Sequence, residues 1–307
     1  MSILIDSKQG KDVSVSCFGE VLWDCFATGK RLGGAPLNMC VRINSLGIKA
    51  DMISAVGNDE LGTELLGEIK AKGVSCDYIA VNNDKKTSTV QVTLDKSGSA
   101  SYEIVADTAW DNIELTDTLI DKVKASDVFV FVFGSLIGRS EASLATLNQL
   151  VDVANFKVFD VNLRAPHYTL NTLVDLMNKA DFIKLNDEEL YEIAKAMGCK
   201  FHSLEQNLAF IAEQTNTEYL CVTKGSHGAL LTIKGENYYN SGYLISVVDT
   251  VGAGDSFLGS LIYQLCSSDC AQHAVDFACA VGAMVAESAG ATPTLTHQQI
   301  NEFMRPL

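Results

Sequence analysis

Short runs of apolar and β-branched residues alternate along most of the chain with stretches whose apolar positions recur every three to four residues. That alternation predicts βαβ units and a parallel sheet covered by helices. Central strands are expected at Val13–Phe18, Asp51–Val56, Val128–Phe133, Lys157–Val161, Phe182–Lys184 and Tyr219–Thr223. The run VFVFVF reads as a strand buried on both faces. Helices are expected at Glu60–Ala71, Glu141–Val153, Asp187–Met197 and Asp255–Leu265. Two regions break the rhythm with strand-like alternation and no helix between: Val21–Lys30 and Cys76–Val105, the latter holding a hairpin around Asp95-Lys96-Ser97-Gly98. They predict a small β lid, with strands from about 21–32 and 76–106, inserted in a single domain spanning 1–307. Only four prolines and no low-complexity linker argue against a flexible two-domain chain.

Composition narrows the functions. With 307 residues, 47% of them hydrophobic and 20% charged, the chain can bury a sizeable core. Its formal net charge of −15 repels nucleic acids and anionic membranes. Nine cysteines without a CxxC pair, and no secretory-type leader in MSILIDSKQGKD, predict a reduced cytoplasmic setting. No apolar stretch approaches the roughly 20 residues of a membrane helix.

One small-anion site stands out against that negative background. In VVDTVGAGDSFLGSL, Val247–Leu261, an apolar run expected as a strand enters a glycine turn and then a helix. Amides of Gly252, Ala253 and Gly254 would face an anion at the positive end of the helix. Asp255 beside them is a candidate general base, taking the proton of an alcohol that attacks phosphorus. The same four residues also suit an ordinary helix cap. There is no Walker A loop, GxGxxG fingerprint, HRD loop or GxSxG elbow. Cys266, Cys270 and His273 have a soft-ligand spacing, but Ser267-Ser268-Asp269 predicts a helix break between them.

DTVGAGDSF at Asp249–Phe257, together with GGAPLN at Gly33–Asn38, Leu46-Gly47 and VGNDELG at Val56–Gly62, resembles both signatures of the ribokinase-like (PfkB-type) carbohydrate kinases, in order and over nearly the whole chain. The resemblance implies a doubly wound α/β core, with a mainly parallel sheet and helices on both faces, plus a β-sheet lid. It implies transfer of the ATP γ-phosphoryl group to a sugar hydroxyl, Mg²⁺ as cofactor and, in many members, K⁺ and a homodimer formed through the lid.

Carried over by position, Asp255 is the base and Gly252, Ala253 and Gly254 form the anion hole, while Asp24, Gly33, Gly34 and Asn38 hold the sugar. Asn186 and Glu189 match an NxxE motif that positions magnesium through its water shell. Thr223, Gly225 and Gly228 match the nucleotide loop, with Gly254 beside the phosphates and Cys279 near the adenine, where many relatives have Asn. Arg164, in a D-x-N-x-R segment with Asn162, would offset phosphate charge. Asp249, Val251 and the loop Ala286–Thr292 resemble a monovalent-cation site.

Among family members, FGEVLWD, GGAPLN, FGSL followed by Arg139, and DVNLR are most similar to bacterial and plant fructokinases. Gly134 and Ser135 stand where ribose kinases usually carry an acid. The hairpin Ser101–Asp111 lacks an arginine that several fructokinases present. The expected acceptor is D-fructose at its 6-hydroxyl. Rival readings are another acceptor (2-keto-3-deoxygluconate, tagatose, ribose or a nucleoside), a phosphorylated sugar met by Lys30, Arg31, Lys85, Lys86 or Lys96, and a catalytically silent binding regulator.

Overall fold

The computed structural model describes residues 13–27, 29–94, 100–125, 128–268 and 270–305. A nine-stranded sheet forms its centre: β1 (Val13–Phe18), β4 (Ala50–Gly57), β5 (Ile79–Asn82), β8 (Val128–Gly134), β9 (Phe156–Asp160), β10 (Phe182–Asn186), β11 (Tyr219–Thr223), β12 (Ala229–Ile233) and β13 (Glu236–Asn240). The spatial order is β13-β12-β11-β10-β9-β8-β1-β4-β5. All neighbours pair parallel except β11–β12 and β12–β13, which are antiparallel.

Side-chain alternation along β8 divides the core. Val128, Val130 and Val132 face one apolar cluster, and Phe129, Phe131 and Phe133 the other. The first cluster is completed by α1 (Ala35–Leu46), α2 (Glu60–Ala71), α8 (Ala253–Ser267) and α9 (Ala271–Ala286). The second is covered by α3 (Asp117–Ala125), α4 (Glu141–Val151), α5 (Leu170–Met177), α6 (Asp187–Ala196) and α7 (Leu204–Thr215). Helices on both faces and a phenylalanine row with ring centroids 5.3–5.9 Å apart account for the unbroken apolar run. A last helix, α10 (His297–Phe303), packs on α9.

The lid is a four-stranded sheet in the order β3-β2-β6-β7, built from β2 (Leu22–Phe26), β3 (Gly29–Gly33), β6 (Ser88–Leu94) and β7 (Ala100–Ile104). The turn 95–98 lies outside the described residues. Residues 79–82, expected in the lid, instead run parallel beside β4 as the edge of the main sheet. The lid is tied to the core at Asp59, the N-cap of α2, whose carboxylate accepts the Thr87 amide (2.9 Å), the Thr87 hydroxyl (2.7 Å) and the Gly62 amide (2.7 Å). Burial disfavours this carboxylate, but the three donors outweigh it and hold its pKa below the ordinary value. A second tie is Arg139, which grips Asp111 with Nε (2.7 Å) and Nη2 (2.8 Å), donates to the Val105 carbonyl and lies over the Trp110 ring. Arg139, noted in the sequence after the fructokinase-like FGSL, therefore anchors the root of β7.

Candidate active site

Strands β1, β8, β9, β10 and β11 are parallel, so their carboxyl ends open on one edge of the sheet, where ligands of open α/β sheets bind. The chain reaches α8 there without the expected strand: residues 241–250 form no ladder, and Val248 and Asp249 donate their amides to the one carbonyl of Ala286. Gly252 caps α8 in the left-handed region (φ 76°), and a Cβ there would lie 2.5 Å from the Ala291 Cβ. Helix α8 begins at Ala253, two residues earlier than its apolar periodicity suggested, so Gly252, Ala253 and Gly254 lie at its amino-terminal end, where amides lack intrahelical acceptors; that of Ala253 reaches the Thr250 carbonyl in a long bond (3.3 Å).

Asp255 sits in that first turn, partly buried, and its Oδ2 accepts Nδ2 of Asn38 from the first turn of α1 (2.8 Å). Burial pushes its pKa up to about 6, Asp160 adds to the rise, and Asn38, Lys184 and Arg164 oppose it. The carboxylate is therefore mostly ionised at neutral pH yet more basic than a free aspartate, which suits a general base.

Three polar groups that motif matching did not assign stand around it. Asp160 and Lys184 occupy paired positions on β9 and β10, both buried, with Nζ 3.0 Å from Oδ1. Burial works against the Lys184 ammonium, but Asp160, Glu189 and Asp255 outweigh it and raise its pKa above the ordinary lysine value. Lys184 Nζ is also the nearest atom, at 3.8 Å, to where a Gly254 side chain would sit. Glu20, at the end of β1, is buried, accepts the Ala35 amide (3.1 Å) and is pushed by burial to a pKa of about 7. A small pocket joins Glu20, Asp160, Asn162 and Arg164. Arg164 itself is exposed and donates to the carbonyl of Leu163 (3.0 Å), so it faces the site by charge without contact to Asp255 in this structure.

Two cavities meet at residues 250–254. One, of about 700 Å³, is lined by Asn186, Thr223, Gly225, Gly228, Gly254 and Cys279, together with Leu244, Ile245, Val247 and Phe257. It brings together Asn186, expected near magnesium, and the five positions expected at the nucleotide. Asn186 and Glu189 form a capping box at the start of α6; Glu189 accepts the amides of Asn186 and Leu163, each at 2.8 Å. The other, of about 800 Å³, lies under the lid and is lined by Asp24, Trp23, Lys30, Arg31, Val251 and the 289–294 loop. Burial raises the Asp24 pKa to about 6, with Arg164 opposing.

Gly33 must be bare because a Cβ would meet Asp24 Oδ2 at 2.3 Å, and Gly34 (φ 116°) would meet the Glu20 carbonyl at 2.4 Å. Gly33, Gly34 and Asn38 thus form the lid root that leads from Asp24 to Asp255. Asp249 accepts the amides of Val251 (3.0 Å) and Gly290 (3.3 Å). Cys266 ends buried on α8 while Cys270 caps α9, and among the described residues no three His, Cys, Asp or Glu side chains cluster as metal ligands. All nine cysteines are free, and no helix among the described residues is long and apolar enough to cross a membrane.

Comparison with known proteins identifies the class to which this α/β core with two cavities and a small second sheet belongs. Residues 4–298 match the pfkB family carbohydrate kinase model, and the chain belongs to that family: it is a carbohydrate kinase. Probable fructokinase-5 of Arabidopsis thaliana is 28% identical over 286 residues, covering 87% of this chain and 85% of its own. The fructokinase of Solanum tuberosum is 28% identical over 283 residues, covering 87% and 83%. The fructokinase of Vibrio cholerae O395, solved with fructose, ADP and calcium ion, is 25% identical with a TM-score of 0.83 over 96% of this chain and 99% of that one. A double mutant of that enzyme, solved with fructose, ADP and potassium ion, gives 0.82 at the same identity and coverage.

Proposed function

We propose that the protein transfers the γ-phosphoryl group of ATP to the 6-hydroxyl of D-fructose. The observation that carries this reading is the position of Asp255: in the first turn of α8, directly after Gly254 of the apolar cavity and hydrogen-bonded to Asn38 beside the root of the lid, so that an alcohol from the lid side and a phosphate from the other side can meet at it. Asp24, with Gly33, Gly34 and Asn38 behind it, holds the acceptor. The apolar cavity takes the nucleotide, with Thr223, Gly225, Gly228 and Cys279 around it. As the acceptor oxygen forms its bond to phosphorus, Asp255 takes the hydroxyl proton and the bond to the β-phosphate oxygen breaks, leaving ADP. The amides of Gly252, Ala253 and Gly254 stabilise charge on the transferring group, and Arg164 and Lys184 add fixed positive charge nearby.

Magnesium would screen the phosphate charge. Each Glu189 oxygen carries one amide donor and keeps a second lone pair, which suits Asn186 and Glu189 to holding the water shell of such an ion. A homodimer formed through the lid and a cytoplasmic setting complete the proposal. The relatives named fructokinase favour fructose. So does the state of the lid cations: Lys30 pairs with Glu64, Arg31 with Asp249 and Lys85 with Asp107, which leaves little charge for a phosphorylated acceptor.

ADP release from ATP and Mg²⁺ with D-fructose, D-ribose, 2-keto-3-deoxygluconate, adenosine and fructose 6-phosphate tests it. Strong selectivity for fructose is expected. Preference for another of the five overturns the acceptor and keeps the Asp255 chemistry; silence with all five overturns the proposed reaction.

A further inference from the structure

Helix α1 starts without a cap of its own. Its N-cap residue, Gly34, has no side chain to accept the first amides, no acid stands in the first turn, and Pro36 brings no amide at all. A serine, threonine or aspartate at 34 would supply the usual cap, but a Cβ there would meet the Glu20 carbonyl at 2.4 Å, on a backbone held at φ 116°. The Asn38 amide returns to the Gly34 carbonyl (2.9 Å). The Ala35 amide is taken instead by Oε1 of Glu20 (3.1 Å), which reaches it from the turn after β1, fifteen residues earlier in the chain.

Glu20 therefore meets the lid root twice, by its carbonyl at Gly34 and by its carboxylate at Ala35, while the Asp24 carboxylate lies against Gly33. Three residues on from Ala35, Asn38 donates to Asp255 Oδ2. The first turn of α1 is held at one end by Glu20 and meets the candidate base at the other. Burial raises the Glu20 pKa to about 7, against the pull of backbone amides and Arg164 and with Asp255 adding to the rise; Asp160 shares its small pocket. Whether charged or neutral, the side chain keeps an oxygen that can accept the Ala35 amide.

We propose that Glu20 is a positioning residue: a cap supplied to α1 from outside the helix, which sets the first turn so that Asn38 meets Asp255. What it contributes is an acceptor at the right reach, and not a charge. For its turnover arm this rests on the reaction proposed above; its structural arm does not.

Two variants separate reach from charge. Glu20→Gln gives up the charge and keeps an oxygen at the same reach; Glu20→Asp keeps the charge on a side chain one methylene too short. Hydrogen–deuterium exchange of the full-length protein without substrates should show amides 35–38 exchanging about tenfold faster in Glu20→Asp and within about twofold of wild type in Glu20→Gln. With whichever acceptor the wild type phosphorylates, kcat should fall about tenfold in Glu20→Asp with the ATP KM within about twofold, and Glu20→Gln should recover most of the loss. In an Asn38→Ala background, Glu20→Asp should cost no more than about twofold further, because the contact it acts through is already gone. Losses that add in the double variant overturn the proposal, as does unchanged exchange at 35–38 in Glu20→Asp. A folded Glu20→Gln protein with about a tenfold loss in kcat overturns it alone, whatever the behaviour of Glu20→Asp. A wild type silent with every acceptor overturns the reaction and leaves the exchange measurement to decide the cap.

Discussion

The cavity beside Gly254 is walled by Leu244, Ile245, Val247, Phe257, Ala283 and Ala286, whereas the cleft under the lid is walled by Asp24, Lys30, Arg31, Glu64, Glu68 and Lys72. The first belongs wholly to the core and its connections; the second is shared between the core and a small sheet tied on at Asp59 and Arg139. An apolar wall selects by shape and contact area, and losing one contact costs little. A wall of charged groups selects by hydrogen bonds, and losing one partner leaves the other unsatisfied. Asp255 follows Gly254 of the first cavity and accepts from Asn38 beside the root of the small sheet, so substitutions there and on either side should separate into three kinetic signatures.

Asp255→Asn should have the largest effect, lowering kcat by about 10²–10⁴-fold while a nucleotide analogue still binds by calorimetry; near-normal turnover would remove the boundary residue from the chemistry. Next comes pH. With its pKa raised to about 6, Asp255 is the deprotonated base above that value, so kcat/KM should be level near pH 7.5 and drop about tenfold per unit below pH 6. A profile flat to pH 5 would contradict the assignment. Asp24→Ala should raise the sugar KM by about tenfold or more, as expected for a charged hydrogen-bond partner, and leave the ATP KM within about twofold; equal shifts in both would mean that the two cavities are not separate sites. Smallest is Cys279→Phe, which should raise the ATP KM severalfold by filling the apolar cavity and leave the sugar KM unchanged.

The same contrast explains what could be read from the chain. The glycine turn, Asn38, Thr223, Gly228 and Cys279 lie in local motifs, and the structure brings each to the site. Asp160 opens the D-x-N-x-R segment and Glu20, just after β1, lies in FGEVLWD, but nothing local announces that Asp160 pairs with Lys184, which sits on the neighbouring strand 24 residues on. The available signal was charge at the ends of strands otherwise apolar, where a buried Asp or Lys requires a partner. The Val247–Val248 run misled in the opposite sense. Its side chains are 62% and 64% exposed, and Val247 lines the apolar cavity, so the run faces that cavity and pairs in no sheet. Residues 79–82 read as lid because a short edge strand and a lid strand have the same alternation; only pairing with β4 separates them.

The hydrogen bond from Asn38 to Asp255 belongs to the same helical turn whose first residues are the lid root, since the Asn38 amide bonds back to the Gly34 carbonyl (2.9 Å). A rotation of the lid about Gly33-Gly34 would reach Asp255 Oδ2 one helical turn later, through Asn38. On the proposed chemistry, acceptor binding under the lid and the placement of the Asp255 carboxylate would thus be mechanically coupled through one side-chain amide.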